Sequence, residues 1–285
     1  MTILVTGASG FIGSNMTKYL NNSGYDVIGC GRTLVKQQGM KYILCDWSKN
    51  IPEIKADVII HTAALCPSAD KSFYDYFENN ILATRNVIEY AKKHHVKRIL
   101  YTGTVSSYGD IERVLREDSP HNNPNCYGLT KYVAEQLIRD SNIPFYILIL
   151  PGVVGRGCGN TWIMKAAEAI YNNEDFTYYN GSKWFNNMLE IEDLCKFVSK
   201  LLKRETKESN TYLLGTDEMM IVDDVIAFLK KRLSSSSKIW NSMESKASFY
   251  IDICKAKNAG FSSKAIIEIL DEVCQEVSWK GSILK

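Results

Sequence analysis

Charge of one sign is the first thing missing from this sequence. It carries 34 Lys+Arg against 32 Asp+Glu, a formal net charge of +2. No basic field is therefore available to gather nucleic acid or an acidic membrane surface, and neither is expected as a partner. Long hydrophobic runs are missing too. The most apolar later stretch, Ile143 to Gly155, is interrupted by Pro144 and Pro151 and falls short of the ~20 residues that a spanning helix needs. Residues 1–17 have no side-chain charge, but Gly7, Ala8, Ser9, Gly10 and Gly13 break them up and no basic residue precedes them. A signal peptide would show a positive flank and an unbroken apolar block. Among the eight cysteines there is no C-x-x-C pair and no metal-type spacing, so no metal site is expected. They read as reduced, mostly buried thiols of a cytoplasmic protein. Neither Cys126 nor Cys158 has the histidine or metal context of a nucleophile. No internal repeat is present, and Ser234–Ser237 is the only low-complexity tract.

What is there is an ordinary globular composition, 45% apolar and 23% charged over 285 residues. That length fits one large domain or two closely joined ones. Short apolar runs alternate with helical patterns through the first half. Strands are expected at Thr2–Thr6, Tyr25–Gly29, Lys41–Cys45, Asp57–His61, Lys97–Thr102 and Phe145–Leu150. Helices are expected at Phe11–Asn21, Tyr76–His94 and Tyr127–Arg139. Strands spaced by helix-length segments predict parallel βαβ units, and β-branched strands apolar on both faces suit a buried parallel sheet. The fold class is thus α/β, a Rossmann-type doubly wound parallel sheet with a smaller C-terminal substrate-binding lobe. Residues 1–155 are expected to form the dinucleotide-binding domain. Residues 156–285 would form the substrate lobe, with Leu189–Leu202 and Thr211–Gly215 able to return to the first sheet.

Two motifs carry chemistry. Thr6-Gly-Ala-Ser-Gly-Phe-Ile-Gly13 lies between the first strand and first helix, where glycines permit a tight turn and the helix N-terminus offers free N–H groups to a pyrophosphate. At the end of the second strand, Val27-Ile28-Gly29-Cys30-Gly31-Arg32 has no carboxylate for the adenosine ribose. Gly31 leaves room and Arg32 can pair with a 2′-phosphate, with Lys36 assisting, so NADP(H) is favoured and NAD(H) is the alternative. The second motif, Tyr127-Gly-Leu-Thr-Lys131, sets a phenol and an ammonium at i and i+4 on one helix face. A nearby cation favours phenolate, which a tyrosine needs to exchange a proton with a substrate hydroxyl near neutral pH. The hydroxyl-rich loop Tyr101–Gly109 follows a strand's carboxyl end, where open α/β sheets bind ligands. His61, ending a buried strand, reads as a satisfied core histidine.

The combination resembles an extended short-chain dehydrogenase/reductase of the NAD-dependent epimerase/dehydratase family. The resemblance rests on the glycine loop, on Asp57-Val-Ile-Ile-His-Thr-Ala-Ala64, on Asn80-Ile-Leu-Ala-Thr-Arg-Asn86, and on Thr104 four residues before Tyr108-Gly109. It continues through Tyr127 and Lys131 to Glu192-Asp193-Leu194, Gly260-Phe261 and Trp279. It implies Tyr127 as general acid/base, Thr104 as its hydrogen-bonding partner (Ser106 the fallback) and Lys131 as the group that tunes Tyr127 and holds the nicotinamide ribose. Gly7, Gly10, Phe11, Ile12 and Gly13 would contact the pyrophosphate, Asp46 and Trp47 would flank the adenine, and Ala63, Ala64 and Leu65 would line the cofactor trough. Arg32, Asn80, Thr102 and Pro151 join the cofactor-binding set. Ser106, Asn160, Trp184 and Asn187 form the candidate substrate set.

Departures from the family pattern shape the expected reaction. Gly31 stands where NAD-preferring members place an aspartate. Trp184-Phe185-Asn186-Asn187 stands where many nucleotide-sugar members have an arginine, with Arg156, Lys165 or Lys183 as replacements for its charge. Val105-Ser106 replaces the Asp-Glu pair of dehydratases, which disfavours dehydration. The expected activity is hydride transfer at a sugar hydroxyl/ketone, with a nucleotide-sugar reductase favoured. The alternatives are a redox-neutral nucleotide-sugar 4-epimerase and an NADPH-dependent reductase of a non-nucleotide carbonyl. A non-catalytic NADP-sensing module would be expected to have lost part of the Thr–Tyr–Lys set, which is intact here. By resemblance, the protein is expected to form a homodimer through the helices at Tyr76–His94 and Tyr127–Arg139.

Overall fold

The first strand, β1 (Thr2–Thr6), is buried at four of its five positions, as a central strand covered on both faces must be. A computed structural model describes residues 1–34, 41–159, 161–205, 207–244 and 246–283, with backbone alone at 282–283. After β1 come α1 (Phe11–Asn22), β2 (Asp26–Gly31), β3 (Lys41–Leu44) and β4 (Val58–His61). A short α2 (Phe73–Tyr76) runs through a π-helical turn (Phe77–Leu82) into α3 (Ala83–Lys93). Ser72 starts this rod with a capping box, its side chain and that of Asp75 each bonding the other's backbone N–H. Next are β5 (Arg98–Thr104), a 3₁₀ turn (Val105–Tyr108), β6 (Arg113–Leu115), α4 (Cys126–Arg139) and β7 (Phe145–Leu150). Then follow β8 (Gly152–Val154), α5 (Trp162–Tyr171), β9 (Phe176–Tyr178), β10 (Trp184–Phe185), β11 (Met188–Glu190) and α6 (Ile191–Leu202). The chain ends with β12 (Asn210–Leu213), β13 (Met220–Ile221), α7 (Val222–Arg232), β14 (Ile239–Asn241), β15 (Phe249–Ile251), α8 (Cys254–Asn258) and α9 (Ile266–Ile283).

Seven strands form the main sheet in the order β12-β7-β5-β4-β1-β2-β3. Pairing is parallel from β3 through β2, β1, β4 and β5 to β7. This is a Rossmann-type α/β fold. Strand order reverses between β1 and β4, and in such sheets the carboxyl ends open a crevice where it reverses. The register sets Thr6 opposite His61, and His61 opposite Tyr101, at that edge.

The chain divides into two compact units. The first comprises Met1–Asp110, Glu117–Leu150 and Val198–Tyr212, and the second Ile111–Arg116, Pro151–Phe197 and Leu213–Lys285. In the second, β8 pairs with β11, β6 with β15 and β9 with β14, all parallel, while β10 and β13 pair antiparallel. Its helices α5 and α7 bury one stripe each, Ile163, Ala166, Ala167 and Ile170 on α5 and Val222, Val225, Ile226 and Leu229 on α7. The buried Asn186 side chain locks this unit: it donates to the Ile251 carbonyl at 2.9 Å and accepts from the Ile251 N–H at 2.8 Å.

Candidate active site

The glycine loop is shaped by what it touches. Gly7 has φ +68°, and a Cβ there would stand 2.7 Å from Ala63 Cα and N, so only glycine lets the loop lie on the segment after β4. The Ala8 N–H ties the loop to β2 through the Cys30 carbonyl at 3.0 Å. Gly10 caps α1 without a side-chain hydrogen bond, and no acidic residue stands in the first turn. The N–H groups and positive dipole end of α1 are therefore left to an anion.

Beneath the loop runs a chain of buried hydrogen bonds. Ala63 N–H donates to Thr6 Oγ1 at 3.2 Å, and Thr6 Oγ1 lies 2.7 Å from His61 Nδ1. His61 Nε2 lies 2.9 Å from Thr84 Oγ1, whose own hydrogen goes to the Asn80 carbonyl at 2.6 Å. Thr84 can then only accept from the ring, which assigns the proton to Nε2 and makes Nδ1 the acceptor from Thr6. Burial, with a further contribution from the Lys131 charge, pushes His61 down to about 3, so the ring is neutral. Asn80 extends the chain: its Oδ1 accepts from Leu65 N–H at 2.8 Å and its Nδ2 donates to Thr130 Oγ1 at 3.0 Å. Thr130 Oγ1 donates in turn to the Tyr127 carbonyl at 2.9 Å. The π-helical turn that carries Asn80 is the widened geometry often found at functional positions.

Tyr127 stands in the first turn of α4, which Asn125 caps by accepting from Gly128 N–H at 2.8 Å. A Cβ on Gly128 would be 2.0 Å from the Ser106 carbonyl oxygen, so α4 and the 3₁₀ turn approach too closely for any other residue. That approach brings Thr104 to Tyr127, where the threonine side chain favours the ionised phenol. The Thr104 hydroxyl also accepts from Ser106 N–H at 3.2 Å. The half-buried Tyr127 ring meets Tyr76 edge-on at 6.1 Å.

Lys131 departs from the expectation for its charge. It is 2% exposed, and Nζ lies 4.1 Å from the centroid of the Tyr101 ring, a cation–π seat. Burial lowers its affinity for a proton, against the pull of Glu135 and Cys66. Tyr127 is shifted up rather than down. Burial dominates and Cys66, Tyr76 and Glu135 add to it, so in the protein alone the phenol is protonated.

Residues 3–215 match the NAD dependent epimerase/dehydratase family. The chain belongs to this family. It is 28% identical to a dTDP-D-glucose 4,6-dehydratase of Dictyostelium discoideum over 257 residues, 75% of this chain and 58% of that protein. It is 25% identical to the Bacillus subtilis protein named uncharacterized UDP-glucose epimerase YtcB, over 99% of both chains. The chain spans only about half the length of the UDP-glucose 4-epimerases it matches. Among solved structures, a UDP-glucuronic acid 4-epimerase from Bacillus cereus in complex with NAD superposes with a TM-score of 0.86 at 24% identity, covering 100% of both chains. At that identity the likeness shows the shared Rossmann-type fold.

Membership in this NAD-dependent family gives no support to the expected NADP(H) preference, and the local structure supplies a reason. Arg32 Nη1 donates to Asn79 Oδ1 at 2.8 Å. Its charge also acts on Asp46, a carboxylate that burial raises but that Ser48 hydrogen bonds, Arg32 and Lys49 hold below its ordinary range. A 2′-phosphate would therefore compete with two groups already engaged with Arg32. Gly31 does not leave open room either, since a Cβ there would meet Tyr42 Oη at 2.6 Å.

Trp47 departs from its adenine-flanking assignment, for its ring is in the core at 3% exposure, donating from Nε1 to Cys30 Sγ at 3.2 Å and meeting Tyr90 edge-on. Asn80 is 1% exposed with its amide committed to Leu65 N–H and Thr130, so it braces the Leu65 main chain and its side chain does not face a ligand directly. Thr102 is buried and donates to the His61 carbonyl at 3.3 Å. Phe11, Ile12, Ala64 and Leu65 are half-buried in the same first unit. Pro151, Trp184 and Asn187 belong to the second unit. Trp184 is 55% exposed on β10, and Asn187 Oδ1 is buried with no hydrogen-bond partner among the described residues. Lys36 and Asn160 lie outside the described residues. Among the described residues, no helix is long and apolar enough to cross a membrane.

Proposed function

We propose that the protein is a nucleotide-sugar 4-epimerase working with bound NAD, with Tyr127, Thr104 and Lys131 as its catalytic groups. The observation that carries the chemistry is the placement of Thr104 against Tyr127, with Lys131 one turn on, at the carboxyl edge of the sheet. Epimerisation is preferred to net reduction because the relatives named above include UDP-sugar epimerases and the superposing Bacillus cereus epimerase carries NAD. Val105-Ser106 in place of an acidic pair disfavours dehydration.

The residues fit a dinucleotide. Gly7 forms a cradle that a Cβ would fill, and the uncapped first turn of α1 presents amides to a pyrophosphate. Lys131 would hold the nicotinamide ribose. When bound, NAD supplies the acceptor, and later the donor, of the hydride from sugar carbon 4. Tyr127, as phenolate, would take the proton of the 4-hydroxyl as carbon 4 is oxidised to the ketone level. The Lys131 cation favours that phenolate and Thr104 orients the oxygen by hydrogen bonding. When carbon 4 is reduced again from its other face, Tyr127 would give the proton back to the oxygen. No net oxidation results.

The test is twofold. The purified protein is denatured and the released dinucleotide is identified by mass, and the intact protein is incubated with UDP-glucuronic acid or UDP-glucose and followed by proton NMR. NAD in near-stoichiometric amount together with the 4-epimer is the expected result. An empty site with consumption of NADPH and a keto substrate would replace the epimerase reading with a reductase.

A further inference from the structure

Glu135 lies one turn beyond Lys131 and two turns beyond Tyr127, on the same buried face of α4. It is 2% exposed, and its Oε1 has no hydrogen-bond partner among the described residues. An isolated buried carboxylate is costly unless an opposite charge compensates it. The fold makes room for it all the same. A Cβ at Gly103 on β5 would stand 2.8 Å from Glu135 Oε1 and 2.6 Å from Ile149 Cδ1, so a larger residue there would crowd the carboxyl. Lys131 is buried to the same degree, with its ammonium on the Tyr101 ring.

We propose that Glu135 is a positioning residue for the reaction: its carboxylate balances the Lys131 ammonium and keeps that ammonium charged and seated on Tyr101, one turn from Tyr127. In its bearing on turnover this rests on the roles given above to Tyr127 and Lys131. The surrounding groups leave Glu135 as the principal counter-charge. Lys131 is faced by Glu135 on its own helix, by Cys66 and His61 from the segment around the end of β4, and by Tyr101 on β5. Glu135 is faced by Lys131 and Arg139 on α4, by Ser107 and Tyr108 on the 3₁₀ turn, and by Tyr101 and Tyr127. His61 is neutral, and burial holds Tyr101, Tyr108 and Tyr127 protonated further into the alkaline range than Glu135, which is itself pushed up to about 8, so Glu135 is the first of these groups to supply an anion as pH rises. Burial raises Glu135 and lowers Lys131, and each opposes the shift of the other.

The experiment follows Lys131 directly. The full-length protein is labelled with lysine carrying carbon-13 at Cε, the Lys131 resonance is identified by its loss in Lys131→Arg, and its titration is compared in the parent, Glu135→Gln and Glu135→Asp. Removing the counter-charge is expected to move the Lys131 titration down by about one pH unit or more, and Glu135→Asp to restore most of it. The alkaline limb of the turnover profile moves the same way in Glu135→Gln, with KM within about twofold of the parent. Gly103→Ala is the second variant. It crowds the carboxyl without removing it and is expected to move Lys131 in the same direction. A Lys131 titration unmoved in Glu135→Gln, or in Gly103→Ala should the first variant not fold, overturns the proposal and leaves Glu135 a packing residue. Because the resonance is read without substrate, a protein that epimerises nothing yet shows the Lys131 shift would refute the epimerase assignment and leave this inference standing.

Discussion

The side-chain amide of Asn80 donates to Thr130 Oγ1 at 3.0 Å, and this bond joins the π-helical turn to the helix that carries Tyr127. The same side chain accepts from Leu65 N–H, so one residue ties the segment after β4 to the turn of α4 that carries Tyr127. Asn80→Ala leaves the part-buried Leu65 N–H without its partner and removes the buried donor to Thr130. The expected cost is about 1–3 kcal/mol in stability, together with lower turnover, read by urea unfolding and the epimerisation assay. Asn80→Asp keeps the acceptor and loses the donor, so it should fall between the two.

That network marks where the sequence stops being legible. The glycine loop, the strand ends and the Tyr127–Lys131 spacing can be read because each is a local pattern whose physics is contained in a few neighbouring residues. Asn80 reads as a family position, but its partners stand 15 and 50 residues away and only folding brings them together. Trp47 is ambiguous for another reason. An indole that stacks on a ligand and one that fills a core have the same sequence signature, and only the Cys30 and Tyr90 contacts decide for the core. Arg32 is not decided by its position, because a cation at a strand end predicts a phosphate partner only if the protein supplies no other. Here Asn79 and Asp46 are already present. Glu135 stands at i+8 from Tyr127, but neither its burial nor the space left by Gly103 follows from spacing.

His61 couples the fold to pH. Its folded pKa, about 3, lies far below the model-peptide value of 6.5. The unfolded chain therefore binds the proton more readily, and His61 contributes stability above pH 6.5 that is lost as pH falls toward 3. Going from pH 8 to pH 5 should cost about 2 kcal/mol through this residue alone. Urea unfolding at the two pH values measures it, and His61→Asn should lower stability at both while flattening the difference between them. An equal pH difference in parent and variant would show that His61 is not the group responsible.

Arg32 and Asp46 make opposite predictions for the cofactor. Since Arg32 already donates to Asn79, Arg32→Ala should leave NAD retention within about twofold of the parent, about 0.4 kcal/mol. The Asp46 carboxylate is held in its charged form by Ser48 and by the Arg32 and Lys49 charges, so a 2′-phosphate paired with Arg32 would meet its repulsion. Asp46→Asn should then raise NADPH affinity by about tenfold, or ~1.4 kcal/mol. Calorimetry on protein stripped of dinucleotide distinguishes the two. A large loss of NADPH binding in Arg32→Ala would restore Arg32 as the phosphate-reading residue.

The helices flanking the site present apolar groups to solvent. Phe73, Tyr74 and Leu129 are 46%, 65% and 39% exposed, at the start of α2 and on the outward face of α4. Covering such groups against a second copy of the chain would give the homodimer that the family resemblance implies. Light scattering coupled to size exclusion should give twice the chain mass of 32.3 kDa, and the double variant Tyr74→Glu with Leu129→Glu should give a single chain mass. A parent protein eluting at the single mass removes the dimer.

Tyr127 and Thr104 separate proton transfer from binding. Tyr127→Phe deletes only the hydroxyl, and the ring can keep its edge-on contact with Tyr76. Turnover should drop by about a hundred- to ten-thousand-fold, the usual weight of a positioned acid–base group, while dinucleotide content and melting temperature stay near the parent's. Thr104→Ala removes the hydroxyl that bears on the phenol and accepts from Ser106 N–H, so a loss on the order of a hundredfold is expected. Thr104→Ser keeps the hydroxyl and should recover most of it. The pH profile supplies the decisive comparison. Burial raises Tyr127, so base catalysis strengthens as pH rises, and loss of the Thr104 hydroxyl, which favours the phenolate, should move that rising limb further to the alkaline side. An unmoved limb in Thr104→Ala would mean that the threonine orients substrate without tuning the tyrosine.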